Sequence, residues 1–488
     1  MSAITASEKR QQLGQFLTSE SLAIFMASLF KRTPRELSLL DAGAGAGMLS
    51  ATLVRRFCRA ERRPQRIAVT AYELDVAMIP MLEQTYAQCE LECLRAGIEF
   101  RTEVVNIDFI EAVLPLIRGD LFSARRTPFN AAILNPPYRK IQGDSAERLL
   151  LRSAGIETSN LYTGFLALAA KLLANDGELV AITPRSFCNG PYFKTFRQQF
   201  FSQMSLRRLH LLDSRSKAFR EDSVLQENII MHAVKSAVKP EQVTVSISPG
   251  VPNENSDTRQ RAYTDIMSPN DPEQFIHLVT DDIQESARQS VQQFSTSLLS
   301  LGLEVSTGRV VDFRARDYLL PEAKGASFPL IYPCHLRKGF VRWPLTESRK
   351  PNAIRNVEAT QELLVESGIY VLVKRFTSKE ERRRIVACIY DPNRVPSKKV
   401  GFENHLNYFH AHGKALLMKL AKGLAAYLNS TAVDSYFRQF NGHTQVNATD
   451  LRNLPYPSRK QLEALGAQIG NVFPEQIALD ELTAEIIP

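Results

Sequence analysis

Between residues 37 and 234 short branched runs alternate with helical stretches, and this rhythm constrains the fold more than any other feature. The runs at 37–41 (LSLLD), 66–73 (RIAVTAYE), 97–105 (GIEFRTEVV), 131–135 (AAILN), 177–183 (GELVAIT), 206–212 (LRRLHLL) and 228–234 (NIIMHAV) read as strands. Between them, residues 47–57, 76–95, 161–173 and 192–201 carry apolar side chains at helical spacing. Strands joined through helices pair in parallel, which predicts an α/β fold with a doubly wound, mostly parallel sheet. Such sheets bind ligands beyond the carboxyl ends of their strands. Chemistry is therefore expected at the strand tips.

The first strand runs into Asp41-Ala42-Gly43-Ala44-Gly45-Ala46-Gly47 and then a helix. Glycines let the backbone approach a ligand, and the following helix offers unpaired N–H groups. A dinucleotide site asks for G-x-G-x-x-G, whereas the spacing here is G-x-G-x-G behind an acid. That pattern suits a ligand with a cationic amino-acid moiety better than a pyrophosphate, although a plain tight βα turn also satisfies it. Glu73 closes the second strand, where a carboxylate can take both hydroxyls of a ribose. After the third strand, Asp108 can accept from an adenine amino group while Phe109 packs its ring. Singly, each acid reads equally well as an exposed loop residue. Together they match an adenosine with an amino-acid tail.

The fourth strand stops at Asn135-Pro136-Pro137-Tyr138. Prolines cannot donate to a sheet ladder and turn the preceding residue away from helix, so an amide and a ring are held on a stiff turn.

At 488 residues the chain exceeds a single core. The segment 248–260 (SPGVPNENSDTRQ) is aperiodic and rich in Pro, Ser, Asn and Gly, which predicts domains at 1–247 and 271–488 around a linker at 248–270. The net charge of +8 is concentrated: residues 335–384 hold 12 Lys/Arg against 6 Asp/Glu. A polyanionic partner fits that window, as does a solvated face. The six cysteines are scattered, with Cys89 and Cys93 lacking a second pair to complete a zinc site, so reduced thiols and no metal are expected. The N-terminus lacks the apolar stretch of a signal peptide, and no apolar run approaches the roughly 18 residues of a membrane span.

In order and content these motifs resemble the γ-class S-adenosylmethionine-dependent DNA adenine-N6 methyltransferases of type II restriction–modification systems, the TaqI-, PstI- and BsuBI-type enzymes. The segment 13–19 (LGQFLTS) is similar to the family motif in which a Thr meets the methionine end of the cofactor, with Thr18 at that position. Asp41, Ala42, Gly43, Gly45 and Gly47 match the glycine-loop motif, Glu73 the ribose acid, and Asp108 with Phe109 the adenine-binding pair. Asn135, Pro136, Pro137 and Tyr138 match the catalytic tetrapeptide. Residues 216–234 resemble the motif whose aromatic packs on the target base, which falls at Phe219. The resemblance implies a catalytic class I methyltransferase domain followed by a mixed α+β target-recognition domain. It also implies S-adenosylmethionine as cofactor, in-line methyl transfer without a metal, and an adenine flipped out of double-stranded DNA. A cytoplasmic protein of a bacterium or archaeon, nucleoid-associated when bound to DNA, follows. It would be a monomer or weak dimer with a cognate restriction endonuclease as partner. Two other readings of the same residues are an N-methyltransferase acting on RNA or a protein glutamine amide, and a DNA-binding module with a relict fold.

For the second half, three stretches are candidate DNA-facing surface. Residues 335–344 interleave Arg337, Lys338 and Arg342 with Phe340 and Trp343; residues 374–384 supply Lys374, Arg375, Arg382, Arg383 and Arg384. The loop 440–457 offers Asn441, His443, Thr444, Gln445 and Asn447, side chains able to read base edges. Trp343 equally suits a core, and 374–384 a self-paired helix.

Overall fold

Branched side chains on both faces of the inner strands need cover on both sides of the sheet, and the intervening helices supply it. A computed structural model describes residues 18–118, 128–212, 227–248, 257–269, 271–378 and 380–486. Its first unit, Met1–Thr280, runs α1 (Glu20–Ser28), β1 (Glu36–Ala42), α2 (Met48–Cys58), β2 (Arg66–Tyr72), α3 (Ile79–Arg95), β3 (Glu99–Val105), α4 (Phe109–Arg118) and β4 (Phe129–Leu134). It continues through α5 (Ala146–Ser153), α6 (Leu161–Leu172), β5 (Leu173–Pro184), α7 (Lys194–Gln203), β6 (Met204–Leu212), β7 (Asn228–Lys235), β8 (Gln242–Ser248) and β9 (Asp257–Ala262).

The strands join in the order β3-β2-β1-β4-β5-β7-β6-β8-β9. Pairs β1–β2, β2–β3, β1–β4, β4–β5 and β6–β8 are parallel, while β7 runs against both its neighbours and β9 against β8. One core, with Leu39, Ala131 and Ile133, lies beneath α1, α2 and α3; the other, with Leu40, Ala132 and Leu134, lies beneath α4 to α7. Strand order reverses between β1 and β4. This is the switch point at which an open α/β sheet leaves a crevice for a ligand.

Every predicted strand forms. Sequence periodicity missed α1, α4, α5, β8 and β9. The predicted linker is corrected: Asp257–Ala262 is an edge strand paired with β8, and residues 263–266 form a helical turn in the same unit. The strand reads DTRQRA and is largely exposed, so backbone pairing holds it and no apolar alternation marked it. The units divide at Thr280 and Asp281 instead.

The second unit, Asp281–Pro488, is the mixed α+β body expected. One sheet orders strands Glu304–Thr307, Leu406–His410, Tyr370–Lys374, Ala387–Tyr390, Phe340–Val341 and Leu336–Arg337. Another orders Leu319–Leu320, Ala353–Arg355, Ser327–Ile331, Lys399–Phe402 and Leu364–Glu366. Helices Met418–Leu428, Thr431–Phe440, Arg459–Gln468 and Gln476–Ile486 follow.

Candidate active site

The tips of β1 to β4 bring the predicted residues to one edge of the sheet. Gly43, Gly45 and Gly47 all adopt positive φ, a conformation that side chains disfavour. A Cβ on Gly47 would also sit 2.7 Å from Leu82 Cδ1, so a larger residue there would have to displace that side chain as well as adopt a disfavoured φ. The Gly43 and Ala44 amides donate to the Tyr72 carbonyl at 2.9 and 3.0 Å, tying the loop to the end of β2. Across the switch point, the place a Gly43 Cβ would take lies 3.9 Å from both the Asn135 carbonyl and Pro137 Cδ. The glycine loop and the Asn-Pro-Pro-Tyr turn therefore lie against each other.

Glu73 is 3% exposed; its Oε2 accepts from the Gly45 amide and its Oε1 from the Asp75 amide, both at 2.7 Å. The carboxylate thus braces the loop. Asn106 supports it by donating to the Glu73 carbonyl at 2.7 Å. Asp108 Oδ1 accepts from the Ile110 amide at 2.8 Å in the first turn of α4, leaving Oδ2 out of that cap. The Phe109 ring is buried between Tyr72 and Phe165, at centroid distances of 5.1 and 5.0 Å.

Asp41 is buried beside the buried Ala42, and its Oδ2 has no hydrogen-bond partner among the described residues. Burial pushes its carboxyl up to about 7; Ser50 pulls it down by hydrogen bonding, and the nearby Glu73 charge raises it further. A buried acid with an orphaned oxygen beside a glycine loop can hold a cation once ionised.

Asn135 is held at both ends of its carboxamide. Nδ2 donates to Thr18 Oγ1 at 3.0 Å, and Oδ1 accepts from the Tyr138 hydroxyl at 2.9 Å. That hydroxyl also lies 3.2 Å from the Ile182 carbonyl on β5, and burial pushes its pKa far up, so it remains a donor. The half-buried Tyr138 ring meets Tyr162 edge-on at 6.3 Å. Phe219 lies outside the described residues.

Sequence reasoning missed Asn106, Ser50, Tyr162 and Phe165 as supports of this edge. Their only signal was position: the two aromatics sit in an apolar helix indistinguishable from ordinary core. It also missed the Thr18–Asn135 bond, which spans 117 residues.

In the second unit the basic candidates separate by exposure. Arg337, Lys338, Arg342 and Arg382 are exposed, with Lys338 3.5 Å from Glu475. Lys374 is paired with Glu381 at 2.8 Å, and Arg375 reaches the Asn404 carbonyl at 3.1 Å. The half-buried Arg383 bonds Asn429 Oδ1 at 3.1 Å. Arg384 is a correction: it is 1% exposed, donates to Thr377 Oγ1, Asn441 Oδ1 and the His443 carbonyl, and lies over the Phe437 ring. A guanidinium so enclosed does not reach a phosphate. Asn441 is corrected with it, being buried against Arg384, Gln445 and Asp450. Trp343 takes the core alternative, its Nε1 donating to the Asn352 carbonyl at 2.7 Å while the ring packs on a buried cluster. Thr444 is exposed; His443, Gln445 and Asn447 are partly so, Asn447 opening a short helix whose Asp450 takes its amide at 3.0 Å.

Comparisons with known proteins agree in kind. A family described as Eco57I restriction-modification methylase matches residues 86–219. The type II methyltransferase M.PstI of Providencia stuartii is 45% identical over 473 residues, covering 97% of this chain and 92% of that protein. M.BsuBI of Bacillus subtilis, also a type II methyltransferase, is 42% identical over 491 residues, covering 98% and 95%. Among solved structures, the type IIL restriction-modification enzyme MmeI in complex with DNA has a similar fold, with a TM-score of 0.57 at 11% identity over 98% of this chain and 72% of that one.

Proposed function

This chain belongs to the type II methyltransferases of restriction–modification systems, and we propose that it transfers a methyl group from S-adenosylmethionine to the N6 nitrogen of an adenine flipped out of double-stranded DNA at one sequence. The observation that carries this reading is the Asn135 carboxamide, held by Thr18 and Tyr138 beside the glycine loop at the switch point. The residues present fit S-adenosylmethionine: the buried Asp41 with its unmatched oxygen suits the ligand's ammonium, Gly43–Gly47 leave room for its backbone approach, and Glu73 and Asp108 suit ribose and adenine. Bound there, it supplies an electrophilic methyl on a sulfonium.

Adenine N6 is a weak nucleophile because its lone pair is spread into the ring. Asn135 Oδ1 and the Pro136 carbonyl would take its two hydrogens and draw the nitrogen toward tetrahedral geometry, freeing the lone pair. Positioning and fixed dipoles supply most of the acceleration in such a site. Extruding the base costs a few kcal/mol, which stacking on Tyr138 would partly offset. Exposed basic side chains of the second unit, Arg337, Arg342 and Arg382, would hold phosphates, and the partly exposed 443–447 loop would read bases. The biological role that follows is protection of cytoplasmic DNA from a cognate endonuclease.

The purified chain with S-adenosylmethionine should place N6-methyladenine at a single duplex sequence, as base-modification mapping would show. Methyl transfer confined to RNA or protein would overturn the reading. A second expectation follows from Asp41. A raised folded-state pKa means that the ionised form is disfavoured in the ligand-free chain, so stability from this group is present below about 4 and lost as pH rises toward 7. Binding of a cationic ligand runs the other way and needs the carboxylate. Affinity for S-adenosylmethionine should rise by about tenfold from pH 6 to pH 8, and Asp41→Asn should bind weakly with a flat profile. A wild-type profile equally flat would remove Asp41 from the ligand's ammonium.

A further inference from the structure

Between β5 and α7 the chain turns through residues 185–193, and one guanidinium gathers that turn together. Arg197, fully buried on α7, donates from Nη1 to the carbonyls of Phe187, Asn189 and Gly190 at 3.1, 2.9 and 3.1 Å. Its Nε donates to the Glu273 carbonyl at 2.8 Å. Gly190 takes a φ of 81°, the left-handed conformation that lets the chain double back. The Arg185 amide donates to the Glu227 carbonyl at 2.8 Å, and the Cys188 carbonyl accepts from the Ile276 amide at 2.9 Å. Connecting segments ordinarily leave such groups to water. Here they are bound inside the first unit, and the turn is a rigid mount.

On this mount Phe187, Cys188 and Phe193 are buried, while Tyr192 is 74% exposed. A single exposed apolar side chain is ordinary on a protein surface. Tyr192 differs by its place. Strands β4 and β5 are parallel with Leu134 opposite Ala181, so the turn after β5 stands beside Asn135–Tyr138. The Phe193 ring lies 6.0 Å from that of Tyr162, which lies 6.3 Å from that of Tyr138. The Tyr162 hydroxyl is 2.7 Å from Ser186 Oγ, within the same turn. A packed row of rings thus leads from Tyr138 to Phe193, and the next ring, Tyr192, faces solvent. Arg139 and Lys140, directly after Tyr138, are exposed as well.

We propose that Tyr192 contacts the DNA substrate, its ring stacking on a nucleobase that flanks the target adenine. Extruding a base takes a stacking partner from its neighbours, and a ring held at the mouth of the site replaces that partner. Side chains set against base steps stabilise distorted duplexes in this way. Every base has a π face, so the contact supports extrusion without reading sequence. Because the mount is rigid, little freedom is lost when the ring meets the DNA, and more of the stacking energy appears as affinity.

This inference rests on the proposed reaction, and its test separates the two. Wild type, Tyr192→Ala and Tyr192→Phe are titrated with a duplex of the sequence that base-modification mapping returns, at several salt concentrations. S-adenosylmethionine affinity and thermal unfolding are measured on the same preparations. Tyr192→Ala should bind the duplex about 5- to 100-fold more weakly. The salt slope should not change, since stacking releases no counterions. Tyr192→Phe, which keeps the ring, should bind like wild type. S-adenosylmethionine affinity and Tm should agree in all three chains, because the ring is exposed. An alanine variant that binds the duplex as tightly as wild type overturns the contact while the reaction stands. A phenylalanine variant as weak as alanine overturns stacking in favour of the hydroxyl, and a matching loss of S-adenosylmethionine affinity or Tm makes Tyr192 structural. A wild-type chain that leaves no N6-methyladenine in duplex DNA overturns the reaction, and the contact with it.

Discussion

Asn135→Ala should reduce methyl transfer to duplex DNA by about a hundred- to a thousandfold while binding S-adenosylmethionine with nearly unchanged affinity. The magnitude is that of removing one preorganised hydrogen-bonding group from a developing charge, about 3–4 kcal/mol. The separation of the two effects follows from the geometry. The Asn135 side chain bonds to Thr18 and Tyr138; Thr18 is also a proposed ligand contact, but Asp41, Glu73 and Asp108, which carry most of the proposed binding, lie at neighbouring tips. Backbone contact between the two loops, seen in the 3.9 Å approach of the Asn135 carbonyl to the Gly43 Cβ direction, does not depend on the side chain. Single-turnover incorporation and a ligand titration on the same preparation check this. Equal losses in both would make Asn135 a structural residue and move the chemistry elsewhere.

Arg384→Ala should destabilise the second unit by about 3–5 kcal/mol, whereas Arg382→Ala should leave its stability alone and weaken DNA binding. Arg384 is enclosed, and truncating it would strand Asn441 Oδ1 away from water and take a donor from the His443 carbonyl and Thr377 Oγ1. Each buried polar group left unmatched costs about 1–3 kcal/mol. The backbone amides of Arg384 and Ile385 both donate to Asp434 Oδ1, at 2.6 and 3.0 Å, so this stretch is a junction between a strand edge and helix Thr431–Phe440. The loss should lower the Tm of this unit by roughly 10 °C in calorimetry. Arg382 is exposed two residues away, and its removal should make the dependence of DNA affinity on salt shallower by about one charge. An Arg384→Ala chain with wild-type Tm and a shallower salt slope would reverse the two assignments.

The adjacent positions 382, 383 and 384 show how far sequence reaches. A run of three arginines marks a basic segment, but the chain turns from surface to interior along it, so one faces solvent, one is half-buried and one is enclosed. Identity alone does not distinguish them. The same holds for Asn441 and Thr444, which both look like readout side chains until one proves to be buried. The strand Asp257–Ala262 was lost for the opposite reason: an edge strand carried by backbone pairing leaves no periodic trace.

What the sequence determined by itself was the alternation that forces a doubly wound sheet and the polar and aromatic side chains placed at its tips, because both are local. Strand propensity, turn residues and the identity of an acid, an amide or an aromatic ring lie within a few positions of one another. Thus Asp41, Glu73, Asp108 and Asn135 were legible before any fold was known. Tertiary structure decided what depends on distant partners. It buried Asp41 until its carboxyl titrates near neutrality, turned Glu73 into a brace for the glycine loop, enclosed Arg384, and joined Thr18 to Asn135 across 117 residues. Burial and hydrogen-bond partnership are properties of three-dimensional neighbours, and no spacing along the chain encodes them.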